Sequence, residues 1–309
     1  MRVTTGQRIH TSQATGTFTP KEDKMRVLVT GHKGFIGTHV FSTLLEEGYD
    51  VVGWDLKDGN DVTQMLPSDL NDGRSRQVDV IFHLAAMPRV PLSIERPEYT
   101  NWHNVEGTLR VLWAAHKAGV KRVIYSSSSS IYGQSHNLPI NEETKPNPMS
   151  PYAVQKLTGE HYCKVFANVY ELETVSLRYF NVYGEGMKAD DPYSPCIAIF
   201  LDQKRKDEPL TILGGKQKRD FTYVGDVVKA NLLAMTSDKV GKGEAINIGG
   251  GKNYSIDEIA SFISDKTIHL PQRKGEPMNT LANIEKAKYL LRWEPTVNLK
   301  SWLLDQMGA

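Results

Sequence analysis

A doubly wound α/β fold, with a parallel sheet flanked by helices and followed by a smaller lobe, is what this sequence predicts. Three observations carry that expectation. From Met25 to about Phe180, short apolar runs alternate with longer amphipathic ones, as βαβ units do. A glycine-rich turn joins the first run to the first amphipathic segment. After about Asn181 the elements shorten and are separated by Gly- and Pro-rich loops such as Leu213-Gly214-Gly215 and Ile248-Gly249-Gly250-Gly251.

Taken in order, strands are expected at Arg26–Thr30, Asp50–Trp54, Val78–His83, Arg122–Ser127 and Thr174–Arg178, and helices at Phe35–Glu47, Asn104–Ala118 and Pro151–Tyr170. Gly48 and Gly119 stop the first two helices, because glycine enters the left-handed conformation of a helix end without a Cβ penalty. Ser150-Pro151 supplies the third with an N-cap hydroxyl followed by a proline at N1. Residues 1–24 hold seven Ser/Thr and few apolar residues and read as a disordered leader or tag. The folded part is expected to divide into 25–180 and a mainly substrate-binding lobe over 181–309, interleaved with the first.

Composition excludes several functions. The 309 residues carry 37 Lys and Arg against 36 Asp and Glu, a net charge of +1, so no global field draws the chain to nucleic acid or an anionic membrane. No apolar run reaches the ~20 residues a membrane helix needs. Cys163 and Cys196 are the only cysteines, too few for a disulfide framework or a CxxC metal site, and this suits a reducing, cytoplasmic setting. No His/Asp/Glu cluster has metal-ligand spacing, and no metal is expected.

Gly31-His32-Lys33-Gly34-Phe35-Ile36-Gly37 follows the first strand and opens a helix, the context in which glycines make a tight turn and let a pyrophosphate approach a helix N-terminus. This is the fingerprint of a Rossmann-type domain. Asp55 ends the second strand eighteen residues beyond Gly37, placed to accept hydrogen bonds from an adenosine ribose diol. A carboxylate there repels a 2′-phosphate and so favours NAD, while Lys57 keeps NADP as an alternative. Asp61-Val62 flanks the adenine or forms a plain turn.

Tyr152 and Lys156, four apart on a helix, share one face. A nearby ammonium stabilises a phenolate and brings its pKa down toward working pH, making tyrosine a base. The spacing alone equally describes a half-buried tyrosine beside a snorkelling lysine. The run Ser126–Ser130 lies at the C-terminal end of a strand, where open α/β sheets place ligands.

In order along the chain stand Thr30-Gly31-x-x-Gly34-Phe35-Ile36-Gly37, His83-Leu84-Ala85-Ala86, Asn104-Val105-x-Gly107-Thr108 and Tyr152-x-x-x-Lys156. Leu177-Arg178-Tyr179-Phe180-Asn181-Val182-Tyr183-Gly184, Arg219-Asp220-Phe221-Thr222-Tyr223-Val224 and Arg273-Lys274-Gly275-Glu276-Pro277 follow. From Met25 to Trp302 the chain resembles the extended short-chain dehydrogenases/reductases, in particular the NAD-dependent epimerase/dehydratase branch and its UDP-sugar 4-epimerases. The resemblance implies that Tyr152 is the catalytic base, that Lys156 binds the nicotinamide ribose and depresses the tyrosine pKa, and that Ser128 bonds the reacting sugar hydroxyl. Ser127 and Ser129 remain alternatives to Ser128. It further implies cofactor contacts at Leu84, Ala85, Ala86, Asn104, Ser126 and Tyr179, and substrate contacts at Asn181, Arg219 and Arg273, whose guanidinium forks suit a diphosphate.

The reaction implied is reversible oxidation at sugar C4 through a transient 4-keto sugar, with NAD regenerated. Ser129 and Ser130 stand where related dehydratases carry Asp-Glu, which disfavours dehydration; the absence of a Glu at Ser130-Ile131 weakens a decarboxylase reading. Thr280 borders the sugar C2 substituent and, being small, leaves room for an N-acetyl group. UDP-glucuronate is the nearest competing substrate. The motifs also admit an NAD-dependent nucleotide-sugar dehydratase, decarboxylase or reductase, and a catalytically silent NAD-binding protein. Leu109, Leu112, Trp113, Leu157, Tyr162 and Phe166 on two helices imply a homodimer interface, with core packing as the alternative.

Overall fold

The computed structural model describes residues 24–71, 73, 76–189, 194–272 and 277–308. Of the leader expected over 1–24, only Lys24 falls among them. Strands are β1 (Arg26–Thr30), β2 (Asp50–Trp54), β3 (Val80–His83), β4 (Arg122–Ser128), β5 (Glu173–Tyr179), β6 (Val182–Tyr183), β7 (Leu210–Leu213), β8 (Lys218–Asp220), β9 (Thr222–Tyr223), β10 (Lys242–Ile248), β11 (Asn253–Ser255) and β12 (Thr267–Leu270). Helices are α1 (Phe35–Glu46), α2 (Val90–Glu95), α3 (Pro97–Asn101), α4 (Gly107–Ala118), α5 (Pro151–Val169), α6 (Cys196–Arg205), α7 (Val224–Thr236), α8 (Ile256–Ser261), α9 (Glu285–Leu291) and α10 (Leu299–Gln306).

Six strands form one parallel sheet in the order β10-β5-β4-β3-β1-β2. Its strands are apolar on both faces, as a sheet covered on both sides requires. Val27, Val29, Val80, Phe82 and Ile124 pack toward α1 and α7, while Leu28, Ile81, Val123 and Tyr125 pack toward α4 and α5. A separate core of Tyr183, Ile197, Phe200, Ile212, Tyr254, Ile259 and Trp302 supports the second lobe.

Two elements differ from the sequence-based expectation. The sixth strand comes from 242–248, so the chain beyond Asn181 completes the central sheet as well as building the second lobe. The helix expected from Asn104 is continuous with helical structure from Pro97 and carries a π-helical turn at Trp102–Glu106 before α4. That wider turn coincides with Asn104, whose side chain bonds to neighbouring segments, and with Gly107, where an added Cβ would meet Val62 Cγ2 at 2.8 Å.

The order of the sheet reverses between β1 and β3. Ligands of open α/β sheets bind in the crevice outside such a point. Gly31 and Ala85 meet there so closely that a Cβ on Gly31 would lie 2.8 Å from the Ala85 backbone.

Candidate active site

The cofactor half is built mostly from backbone. Gly31 has φ +71, the left-handed region that favours glycine, and its N–H donates to Trp54 O at 2.7 Å, tying the turn to the end of β2. Gly37, in the first turn of α1, lies against Gly31 so tightly that a Cβ would fall 2.0 Å from Gly31 O. Gly34 is the N-cap of α1 and offers no side-chain cap, so the first amides of the helix face the crevice as donors for an anion. Asp55 Oδ2 accepts from Lys33 N and Oδ1 from Lys57 N, each at 2.9 Å. Those two bonds fix the carboxylate at the cavity wall with acceptor capacity remaining for a ribose diol. Lys57 Nζ donates to Lys33 O at 3.0 Å and Lys33 Nζ pairs with Asp58, so both lysines near Asp55 are engaged within the turn. Asp61 accepts from Thr63 N at 2.9 Å, with His103 Nδ1 3.8 Å away.

Behind the turn, a buried polar chain fixes the loop after β3. Thr30 Oγ1 accepts from Leu84 N and Ala85 N, both at 3.2 Å, which leaves its proton for His83 Nδ1 at 2.9 Å. His83 Nε2 then carries the ring proton and donates to Thr108 Oγ1 at 3.0 Å, whose own proton goes to Asn104 O at 2.7 Å. Every group is satisfied only with a neutral imidazole. Burial, reinforced by the charge on Lys156, holds the His83 pKa down at about 3.

The Asn104 amide accepts from Met87 N at 2.7 Å and donates to Met87 O at 3.1 Å and Gln155 Oε1 at 2.8 Å. It therefore stands behind the cavity wall and braces the Met87 loop against α5. Asn104 is not among the residues that line the cavity.

The Tyr152/Lys156 pair sits at the start of α5. Ser150 Oγ accepts from Ala153 N at 3.2 Å and Ser93 Oγ accepts from Tyr152 N at 3.1 Å, fixing the first turn. Gly159 brings α5 onto β4, since a Cβ there would meet the Tyr125 hydroxyl at 2.2 Å. Lys156, 3% exposed, donates to Ser126 O at 2.7 Å and lies 5.9 Å from the centre of the Tyr152 ring. Burial pulls its pKa down to about 8. The expectation that Lys156 depresses the phenol is not met among the protein groups: burial pushes Tyr152 up to about 12, with only a hydrogen bond to Ser128 opposing it. The ammonium is turned to a carbonyl and set off the ring, so desolvation of the phenolate wins.

The serine run divides its work. Ser127 lines the cavity too, but its Oγ donates to Glu160, so that proton is already committed. Ser128 Oγ accepts from Ser130 N at 3.2 Å and faces Tyr152. Ser130 Oγ is buried with no hydrogen-bond partner among the described residues. Glu160, one turn beyond Lys156, also takes a two-point contact from Arg178, with Nε at 2.9 Å and Nη2 at 2.7 Å. Arg178 Nη1 donates to the Tyr132 hydroxyl, which donates to Asn247 Oδ1, each at 2.7 Å. The loop from Ser128 to Tyr132 is thereby clamped at both ends. A third residue at four-residue spacing after Tyr152 and Lys156 is the sequence signal that could have found Glu160.

In the second lobe, Asn181, Arg219 and Thr280 converge, together with Tyr179 from the end of β5, on the opposite wall. Tyr179 donates its hydroxyl to Asn231 Oδ1 at 3.0 Å. Sequence reasoning misses Asp220, which is fully buried. Its carboxylate accepts from Gly250 N at 2.6 Å, Gly251 N at 3.2 Å and Ala282 N at 2.9 Å. Burial raises its pKa to about 7 against those three donors. Arg273 lies outside the described residues.

All these features meet in one cavity of about 1230 Å³. Among the sequence-derived candidates within the described residues, Gly31, Gly34, Phe35, Ile36, Gly37, Asp55, Asp61, Val62, Leu84, Ala85, Ala86, Ser126, Ser128, Tyr152, Lys156, Tyr179, Asn181, Arg219 and Thr280 line it, and Asn104 does not. Among the described residues, no group of three His, Cys, Asp or Glu could hold a metal ion.

A glycine cradle at a helix N-terminus, an acid at the end of β2 and a half-buried tyrosine beside a buried lysine in one crevice define a dinucleotide-dependent enzyme. The family model of the NAD dependent epimerase/dehydratase family matches residues 27–249, and the chain belongs to that family. It is 37% identical to a putative UDP-glucose 4-epimerase of Methanocaldococcus jannaschii, over 89% of this chain and 94% of that protein. Among solved structures it is similar to the UDP-N-acetylglucosamine 4-epimerase of Methanobrevibacter ruminantium in complex with UDP-N-acetylmuramic acid, at 32% identity and TM-score 0.83, covering 93% of this chain and 100% of that one. The UDP-glucuronic acid 4-epimerase of Bacillus cereus, in complex with UDP-glucuronic acid and NAD, is 35% identical at TM-score 0.83, covering 92% and 98%.

Proposed function

We propose that this protein is an NAD-dependent 4-epimerase of UDP-sugars. The observation that carries the reading is the half-buried Tyr152, bonded by Ser128 and backed by Lys156, in a cavity shared by the glycine cradle and by Arg219, Asn181 and Thr280. We place the cofactor against 25–180 and the UDP-sugar mainly against 181–309, with Arg219 and Arg273 on the diphosphate.

Tyr152 accepts the proton of the sugar 4-hydroxyl while Ser128 holds that oxygen. Held by the glycine cradle and Asp55, NAD would supply a reversible hydride acceptor for C4 and a positive charge in its oxidised ring. From about 12, the phenol must fall by about 4 pKa units, or roughly 5 kcal/mol, to serve near pH 8. One unit charge about 6 Å away supplies roughly 3 kcal/mol at an effective dielectric of about 20. Lys156 is already in place at that starting value, so a positive charge brought by the bound cofactor would supply part of the remaining fall.

For the sugar, Thr280 supports acceptance of UDP-N-acetylglucosamine and UDP-N-acetylgalactosamine alongside or instead of the non-acetylated pair. The unpartnered Ser130 hydroxyl favours a second reading, UDP-glucuronate, because it offers a donor to a polar C6 group. A homodimer is proposed through α4 and α5: Leu112 and Phe166 belong to the core, but Trp113 and Val165 are solvent-exposed. The two free thiols suit a cytoplasmic setting.

The test is incubation with a panel of UDP-sugars and separation of products by C4 configuration. Interconversion of C4 epimers without net NADH release is expected, and Tyr152→Phe should lower kcat at least a thousandfold while retaining NAD binding. Unchanged turnover in that variant would overturn the assignment of the base.

A further inference from the structure

Asp220 touches no part of the cavity itself, yet the groups that form its second wall hang on it. Its backbone N–H donates to Thr280 Oγ1 at 3.2 Å, and its carbonyl accepts from Asn181 Nδ2 at 2.7 Å. Its neighbours in sequence, Arg219 and Phe221, both line the cavity. The carboxylate gathers three amides from two other segments, the turn after β10 and the strand-like stretch at Ala282. There is no slack in this arrangement: a Cβ on Gly249 would meet Ala282 Cβ at 2.4 Å, and one on Gly250 would meet Phe221 O at 2.3 Å.

We propose that Asp220 is a positioning residue for the UDP-sugar, holding Asn181, Arg219 and Thr280 in one arrangement by anchoring the turn at Gly249–Gly251 and the segment at Ala282 through its carboxylate. The proposal rests on the UDP-sugar reading above. Three amide donors converge on two oxygens of one carboxylate, a geometry no neutral side chain of that size reproduces, since an amide group would turn a donor toward a donor. Exchanging one acceptor oxygen for an NH2 donor therefore releases at least one of the two segments and lets the substrate wall relax, while the glycine cradle, to which Asp220 makes no hydrogen bond among the described residues, keeps its form. The second wall meets substrate in both ground and transition states, so its loss is uniform and appears in KM.

The experiment compares Asp220→Asn with the unaltered protein in the epimerase assay at pH 8, alongside NAD titration and hydrogen exchange of the unaltered protein with and without saturating UDP. The expected result is a KM for UDP-sugar raised at least tenfold, kcat at saturation within threefold, and NAD affinity unchanged. UDP should slow exchange at the amides of Gly250, Gly251 and Ala282, although these residues do not line the cavity. This second measurement decides the matter if the variant does not fold. An unchanged KM, an equal loss of NAD affinity, or exchange at those amides that UDP leaves untouched would each overturn the hub. Absence of turnover in the unaltered protein would instead overturn the UDP-sugar reading, and the hub with it.

Discussion

The two walls of the cavity are built by opposite means. On the glycine-turn side, backbone meets backbone: Gly31 and Gly37 touch within one turn, Gly31 also abuts Ala85, and Asp55 is set by the amides of Lys57, two residues on, and of Lys33, 22 residues back. On the substrate side, Asp220 reaches residues 30, 31 and 62 positions away. The first wall is a tight backbone turn pinned to β2 and to the loop after β3, and the second is a convergence of segments held on one buried carboxylate. A ligand that needs a close, rigid approach to backbone amides is served by the former, and one whose sugar must turn within its pocket by the latter.

The sharpest way to break this comparison is to add one methyl group to the cofactor wall. Gly37→Ala places a Cβ 2.0 Å from Gly31 O and 2.9 Å from His32 Cα, both backbone atoms that cannot move aside without unmaking the turn. NAD affinity is expected to fall more than a hundredfold, with a stability loss of about 3 kcal/mol or more. Calorimetric NAD titration and thermal melts would read both. If NAD binds Gly37→Ala normally, the cradle is not the cofactor site.

That asymmetry also decides what was legible in the sequence. The bounds of β1, β2 and α1, the cradle and Asp55 followed from patterns spanning a few residues, and so did the Tyr152/Lys156 pair. The sixth strand did not, because nothing in Lys242–Ile248 encodes which edge of the sheet it joins. Asp220 is visible in the sequence only as the residue after Arg219; the partners of its carboxylate are three backbone amides, which carry no side-chain signature. For Asn104 the sequence shows the amide but not that its side chain bonds to Met87 and Gln155. The raised phenol of Tyr152 likewise depends on burial and on the direction Lys156 takes, neither of which spacing reports.

A subtler contrast lies in two buried titratable groups, one behind each wall. His83 has a folded pKa of about 3, below the 6.5 of its ordinary value, so between these values the unfolded chain binds more protons and its contribution to stability is lost as pH falls. Asp220 has a folded pKa of about 7 against an ordinary 3.8, so in that window the folded chain holds more protons and its contribution is lost as pH rises. Between about pH 4 and 6.5 the two slopes oppose, each reaching about 1.4 kcal/mol per pH unit. Relative to the unaltered protein, His83→Asn should gain stability on acidification and Asp220→Asn should lose it. Denaturant unfolding at about pH 4.5, 5.5 and 6.5 checks the signs, and parallel profiles for the two variants would contradict the assignment of both environments.

The smallest expected effect lies where the two walls meet. Ser150, one residue before the proline at N1 and two before Tyr152, caps α5 by accepting from Ala153 N. Ser150→Ala removes that local hydrogen bond and should cost about 1 kcal/mol of stability. Tyr152 keeps its second anchor, the bond from its N–H to Ser93 Oγ on α2, so the phenol should stay within reach of Ser128 and kcat should fall less than tenfold. Removing both hydroxyls frees the first turn of α5 from each of its supports. The double variant with Ser93→Ala should therefore lose more in kcat than the product of the single losses, because either anchor alone suffices to hold the turn. Strict additivity in kcat would mean that the Tyr152 position is set deeper in the helix, by Lys156 on Ser126 O and by the close packing at Gly159.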